Sequence, residues 1–270
     1  MSRQMDLSFL DRPEVLQIIF PVAYSPFFLV GYPPSSAINA PTYPIEVERG
    51  IRVVCGFWVS GQDCPTILYF HGNGETVPNH DWIAPLYNER GINLFVADYR
   101  GYGASNGQPT ISNTLTDAHA IFQGFQEIIK KEGFKNSLFV MGRSVGSVPA
   151  VELASTYQDE LRGLIVESGA SNNFRRLWHY LGIATEDALM DEGHPFLNKV
   201  KIRQVRKPTL IIHGEYDQII SVTEGQELYV NSGAPDKELM IIPGADHNDI
   251  LMVASSRYFD AIEKFVTKYG

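Results

Sequence analysis

Cysteine is scarce in this chain: Cys55 and Cys64 are the two among 270 residues. They form no CxxC or Cys/His spacing, which excludes a disulfide framework and a thiolate-held metal. A single Cys55–Cys64 bridge stays open, but idle or buried thiols in a reducing, cytoplasmic compartment are the expectation. Basic residues are also few, with 22 Lys and Arg against 31 Asp and Glu and a net charge of -9. No basic excess is available to neutralise phosphates, so nucleic acid and anionic membrane are excluded as main partners. Long apolar runs are missing. The nearest, Val15 to Phe28, is interrupted by Pro21 and Pro26, lacks a basic n-region before it and is too short to span a bilayer. It is expected to pack against the body of the protein, with peripheral membrane contact as the alternative. No integral membrane segment is expected.

What is present is an ordinary globular composition, 44% apolar and 20% charged, in a length that α/β folds commonly organise around one core. A proline-rich strap runs from Tyr32 to Pro44. Ile45–Glu48 and Ile51–Val59, joined at Arg49-Gly50, predict an antiparallel hairpin. Thr66–Phe70 is a short apolar run without alternation, as suits a strand covered on both faces. Strands and helices then alternate: a helix over Trp82–Arg90 closed by Gly91, a strand at Leu94–Ala97, a long helix over Thr110–Lys131, a strand at Leu138–Met141, a helix over Ser147–Tyr157 and a strand at Leu164–Val166. Strands at Thr209–His213 and Glu238–Ile242, with helices over Thr223–Asn231 and Ile250–Tyr269, complete a series of βα units. That series predicts a largely parallel sheet with helices on both faces. The roughly forty residues between Glu167 and Thr209 exceed what one crossover needs. Phe174, Leu177, Trp178 and Leu181 recur there at helical spacing, which predicts a short helical cap enclosing an apolar pocket over the strand C-termini.

The chemistry centres on Gly142-Arg143-Ser144-Val145-Gly146, which follows a buried strand and opens a helix. This is the pattern of a nucleophile elbow, in which the serine stands out of the sheet on a strained turn. A serine hydroxyl needs a base to take its proton, and the base needs a carboxylate to hold its tautomer. Asp217 and His247 each lie just beyond a later strand, and Ser, Asp, His is one of the few chain orders in which such triads occur. Glu167, which also ends a strand, is the rival to Asp217. Asp246 and Asp249 flank His247, but one histidine without His-x-x-x-His spacing does not make a metal site. His71 and His213 are expected to tie loops, Asp98 to brace the Arg100–Ser105 loop, and Arg143 to be solvated or ion-paired, with an attraction for anionic substrates as its alternative.

These segments resemble the α/β-hydrolase superfamily from about Tyr43 to Tyr269. The resemblance rests on His71-Gly72-Asn73-Gly74, on Asp98-Tyr99-Arg100-Gly101-Tyr102-Gly103-Ala104-Ser105, on the Gly142–Gly146 elbow and on the Asp217 and His247 loops. Within the superfamily the first two look most like the branch of depalmitoylating thioesterases and uncharacterised bacterial esterases. The resemblance implies a mostly parallel eight-stranded sheet with helices on both faces and a short cap insertion over 170–207. It implies a single domain over 1–270 with an N-terminal strap over 1–44, and an oxyanion hole from the backbone N–H groups of Asn73 and Val145. Val145 opens a helix whose first N–H groups lack internal partners, which suits that role.

The expected activity is acyl transfer to water without a metal or organic cofactor: a serine hydrolase acting on the ester or thioester of a small apolar acyl substrate. The cysteine-rich acylated N-terminus of the protein-depalmitoylating members is absent, so small-molecule esters are favoured over proteins. A peptidase of the acylaminoacyl or prolyl type is the enzymatic alternative, weakened by the lack of a preceding propeller-like domain. A ligand-binding module with little turnover is the alternative from another class.

Overall fold

The computed structural model describes residues 7, 10–24, 40–135, 137–172, 194 and 196–270. Eight strands form one sheet: β1 Thr42–Glu48, β2 Ile51–Trp58, β3 Thr66–Phe70, β4 Asn93–Ala97, β5 Leu138–Arg143, β6 Gly163–Glu167, β7 Thr209–Gly214 and β8 Lys237–Ile242. Their order is β1-β2-β4-β3-β5-β6-β7-β8. β2 pairs antiparallel with both neighbours, and every other pairing is parallel. The eight-stranded, mostly parallel sheet expected from the sequence is the sheet observed.

The continuous apolar runs are explained by cover on both faces. Leu68 and Phe70 of β3, Val140 of β5 and Val166 of β6 belong to one core cluster, with residues of the Ile111–Lys131 and Ser147–Thr156 helices. Ile67, Met141, Ile165 and Ile212 point the other way, into a cluster with the Ile250–Tyr269 helix. The central strands β3 to β7 thus bury both sets of side chains, as the period of two demands. The long helix begins at Thr110, whose hydroxyl accepts from the Asn113 N–H at 3.0 Å while Asn113 Oδ1 accepts from the Thr110 N–H at 2.7 Å. This reciprocal cap stops the chain one residue before the helix.

The proline-rich lead-in is shorter than its composition suggested. Its last residues are already strand, since Thr42, Tyr43 and Pro44 pair with Gly56, Cys55 and Val54. Proline is tolerated there because β1 is an edge strand. The helix expected over Trp82–Arg90 is confined to Ala84–Asn88. Within the apolar N-terminal stretch, Pro13–Ile19 is a helix that buries Val15, Leu16 and Ile19 in the core. Among the described residues no helix is long and apolar enough to cross a membrane. Both cysteines are free thiols, Cys55 buried and Cys64 half-buried. Of the expected cap, Phe174, Leu177, Trp178 and Leu181 lie outside the described residues; its described C-terminal part holds one α-helical turn, Asn198–Lys201, followed by a 3-10 turn, Ile202–Gln204.

Candidate active site

The parallel strands carry Ser144, Asp217 and His247 to one edge of the sheet. β5 ends in Ser144, whose φ of 53° is in the left-handed region that non-glycine residues avoid. The turn is held by close backbone approach at both flanking glycines. A Cβ at Gly142 would stand 2.1 Å from the Gly146 carbonyl oxygen, and a Cβ at Gly146 would stand 2.1 Å from that of Phe70. No other residue fits at either position. The Ser147 hydroxyl donates to the Ser144 carbonyl at 2.6 Å and fastens the turn to the helix that follows.

Asp217 comes from the loop after β7 and His247 from the loop after β8. His247 Nε2 lies 3.0 Å from Ser144 Oγ, and His247 Nδ1 lies 2.7 Å from Asp217 Oδ2. The tautomer that satisfies both contacts has Nδ1–H donating to the carboxylate and Nε2 accepting from the serine hydroxyl. Asp217 Oδ1 accepts from the N–H groups of Ile219 and Ile220 at 2.9 and 2.7 Å, which orients its carboxylate. Burial alone would raise the Asp217 carboxyl. Hydrogen bonds from His213 and His247, the His247 charge and the Ile220 N–H together hold it below the ordinary carboxylate range. All three side chains are buried.

The rival carboxylate is committed elsewhere. Glu167 Oε1 accepts from Arg143 Nε at 3.1 Å and its Oε2 from the Tyr258 hydroxyl at 2.6 Å. Arg143 also pairs with Glu75 and donates through one terminal nitrogen to the His247 carbonyl at 2.8 Å and to Asn248 Oδ1 at 3.0 Å. Burial opposes the Arg143 charge, but Glu75 and Glu167 outweigh it and raise its pKa. Arg143 is therefore ion-paired, and it grips the backbone of the histidine loop, a contact that sequence reasoning did not foresee. His213 was also underestimated. Its Nε2 lies 2.8 Å from the Ile220 carbonyl and 3.2 Å from Asp217 Oδ2, so its ring N–H braces the carboxylate as well as the loop. The four-residue spacing from His213 to Asp217 was the available signal.

Asp98 stands against the loop expected of it, where a Cβ at Gly103 would fall 2.4 Å from its Oδ2, and it braces a second loop as well. Its Oδ1 lies 3.1 Å from His71 Nε2 and accepts from the Val77 N–H at 2.8 Å, holding the segment that carries Asn73. The Asn73 side chain donates to the Ile18 carbonyl at 3.1 Å and so ties that segment to the N-terminal helix. Asn73 and Val145, the expected oxyanion pair, line one cavity of about 330 Å³ together with Ser144 and His247. Its apolar wall includes Ile18, Ile19, Val148, Ile219 and Ile220. Among the described residues no group of three or more His, Cys, Asp or Glu side chains is arranged to hold a metal ion.

The strand order, and the sheet edge on which these loops meet, are those of the α/β-hydrolase fold. The family model described as serine aminopeptidase, S33, matches residues 61–181. The human alpha/beta hydrolase domain-containing protein 17B is 28% identical over 226 residues, which are 83% of this chain and 74% of the relative. The Caenorhabditis elegans alpha/beta hydrolase domain-containing protein aho-3 is 31% identical over 204 residues, covering 74% of this chain and 57% of the relative. Among solved structures, the Pyrococcus furiosus esterase Pf2001 shares the fold with a TM-score of 0.69 at 19% identity, over 89% of this chain and 96% of the other. Est1E from Butyrivibrio proteoclasticus, bound to ferulic acid, does so with a TM-score of 0.67 at 18% identity, over 84% and 98%.

Proposed function

We propose that this protein is a serine hydrolase that cleaves carboxylic ester or thioester bonds of a small substrate with an apolar acyl group, through an acyl-enzyme. The observation that carries the reading is the unbroken hydrogen-bonded series from Asp217 through His247 to Ser144 on a strained elbow. Ser144 Oγ attacks the carbonyl carbon while His247 Nε2 takes its proton. The imidazolium so formed is stabilised by Asp217, whose lowered pKa keeps it ionised. The oxyanion is received by the N–H groups of Asn73 and Val145. His247 returns the proton to the leaving alcohol or thiol, then activates a water that releases the acid and restores Ser144. The apolar wall of the cavity suits the acyl chain.

The similar Pyrococcus furiosus structure is named as an esterase, which supports ester chemistry. The family description supports the peptidase alternative, with the same residues acting on an amide. Rapid-quench hydrolysis of a series of p-nitrophenyl esters tests the reading. The expected result is a burst of one p-nitrophenol per active site and none from Ser144→Ala. Release of N-terminal residues from peptides, with esters untouched, would overturn the ester assignment in favour of the peptidase. Tight ligand retention with turnover no better than Ser144→Ala would favour the binding module.

A further inference from the structure

A second cavity, of about 170 Å³, lies beside the first and shares Arg143, His247 and Asn248 with it. Its floor is polar and its rim apolar. Tyr69 reaches into it from β3, and Trp82, Leu251 and Met252 form the rim, with Trp82 and Met252 exposed. The polar groups around the floor are paired with one another: Glu75 with Arg143 and His80, and Glu167 with Arg143 and Tyr258, whose hydroxyl also meets that of Tyr87. Tyr69 is the exception. The residue is 6% exposed and its ring packs edge-on to His80 at 5.2 Å between centroids, while its hydroxyl makes no hydrogen bond to any described residue. The hydroxyl is not enclosed but opens onto the cavity, and a phenylalanine would fill the same space without offering the cavity a hydrogen-bonding group. The hydroxyl is therefore placed for something that enters the cavity.

We propose that the second cavity is the leaving-group subsite of the hydrolase, and that Tyr69 selects alcohols or thiols carrying a second hydroxyl or similar neutral hydrogen-bonding group. This rests on the reading of Ser144 and His247 given above. The leaving group must depart on the side of the histidine that protonates it, and His247 is the proton carrier that both cavities share. Trp82, Leu251 and Met252 offer apolar contact to its carbon skeleton. Glu75 and Glu167 stand against one guanidinium, so the floor carries no excess positive charge to receive an anionic leaving group. The acyl chain occupies the larger, apolar cavity, and the alcohol or thiol points its polar end at Tyr69.

The test is a pair of esters with the same acyl chain, glyceryl 1-monohexanoate and propyl hexanoate, titrated for released acid with wild type and Tyr69→Phe. The wild type is expected to favour the glyceryl ester in kcat/KM, and Tyr69→Phe to lower that ratio about tenfold. The melting temperature of Tyr69→Phe is expected to equal or exceed that of the wild type, since no hydrogen bond within the protein is lost. An unchanged ratio, or a melting temperature several degrees lower, would overturn the proposal. Calorimetric binding of the two esters to Ser144→Ala and to Ser144→Ala/Tyr69→Phe measures the same selectivity without turnover. The glyceryl ester is expected to lose its advantage only when Tyr69 is changed. Selectivity in binding without any burst would sink the reaction and spare the subsite, whereas a normal burst with equal ratios would sink the subsite alone.

Discussion

Glu167 and Asp217 close neighbouring parallel strands, β6 and β7, or the turn just after, on the same edge of the sheet. Both are buried carboxylates within reach of the histidine loop. They are held by different partners. Asp217 accepts from two backbone N–H groups and two histidine rings, and one of those rings faces Ser144. Glu167 is enclosed by Arg143 and Tyr258 and reaches His247 only through the guanidinium that binds the His247 carbonyl. A carboxylate at a strand end takes its role from the groups that reach it first. Here the Asp217 side orients the imidazole, and the Glu167 side fixes the loop that carries it.

The contrast breaks most visibly in turnover. Asp217→Asn leaves the fold in place but removes the acceptor for His247 Nδ1–H, and kcat/KM for a p-nitrophenyl ester is expected to fall about 10⁴-fold. Glu167→Gln is expected to stay within about tenfold of wild type in the same assay, because the glutamine touches no reacting atom. A fall as deep as that of Asp217→Asn would erase the distinction.

Stability should show the reverse order. Arg143→Met leaves Glu75 and Glu167 buried without their partner, and urea unfolding is expected to read a loss of about 3–5 kcal/mol. Acid sharpens the comparison further. Glu75 and Asp217 are buried, which raises their pKa values, but Arg143 for Glu75 and the two histidines for Asp217 drive both below the ordinary range. Glu152, raised by burial and lowered by His119 and Lys201, falls to about 2. A lowered pKa in the folded state gives stability that is present above the unfolded value and lost as pH falls through the folded one. Melting temperatures are therefore expected to hold down to about pH 4.5 and to drop steeply between there and about pH 2. The smallest effect belongs to Tyr258→Phe, which deletes only the hydrogen bonds to Glu167 and Tyr87. It is expected to cost about 1–2 kcal/mol of unfolding free energy with little change in turnover.

The parallel strands were legible because burial on both faces leaves short runs with no polar interruption, as Thr66–Phe70 and Thr209–Gly214 show. The elbow was legible because its glycines answer to contacts that forbid a Cβ. The choice between Asp217 and Glu167 was not, since both end strands and only side-chain direction separates them. The grip of Arg143 on His247 joins residues 104 apart in the chain and leaves no periodic trace. Tyr69 was hidden for the opposite reason: within an apolar strand it reads as core, and its hydroxyl matters because none of the described residues hydrogen-bonds it and it opens onto a cavity. The hairpin edge was misjudged at Pro44 because proline signals a strap unless the strand lies at an edge.

The account stands most directly on an activated Ser144, and intact-mass analysis after reaction with a fluorophosphonate probe reads it. Wild type is expected to gain one probe mass per chain and a folded Ser144→Ala variant none. Unlabelled wild type of native fold, or equal labelling of the variant, would contradict it.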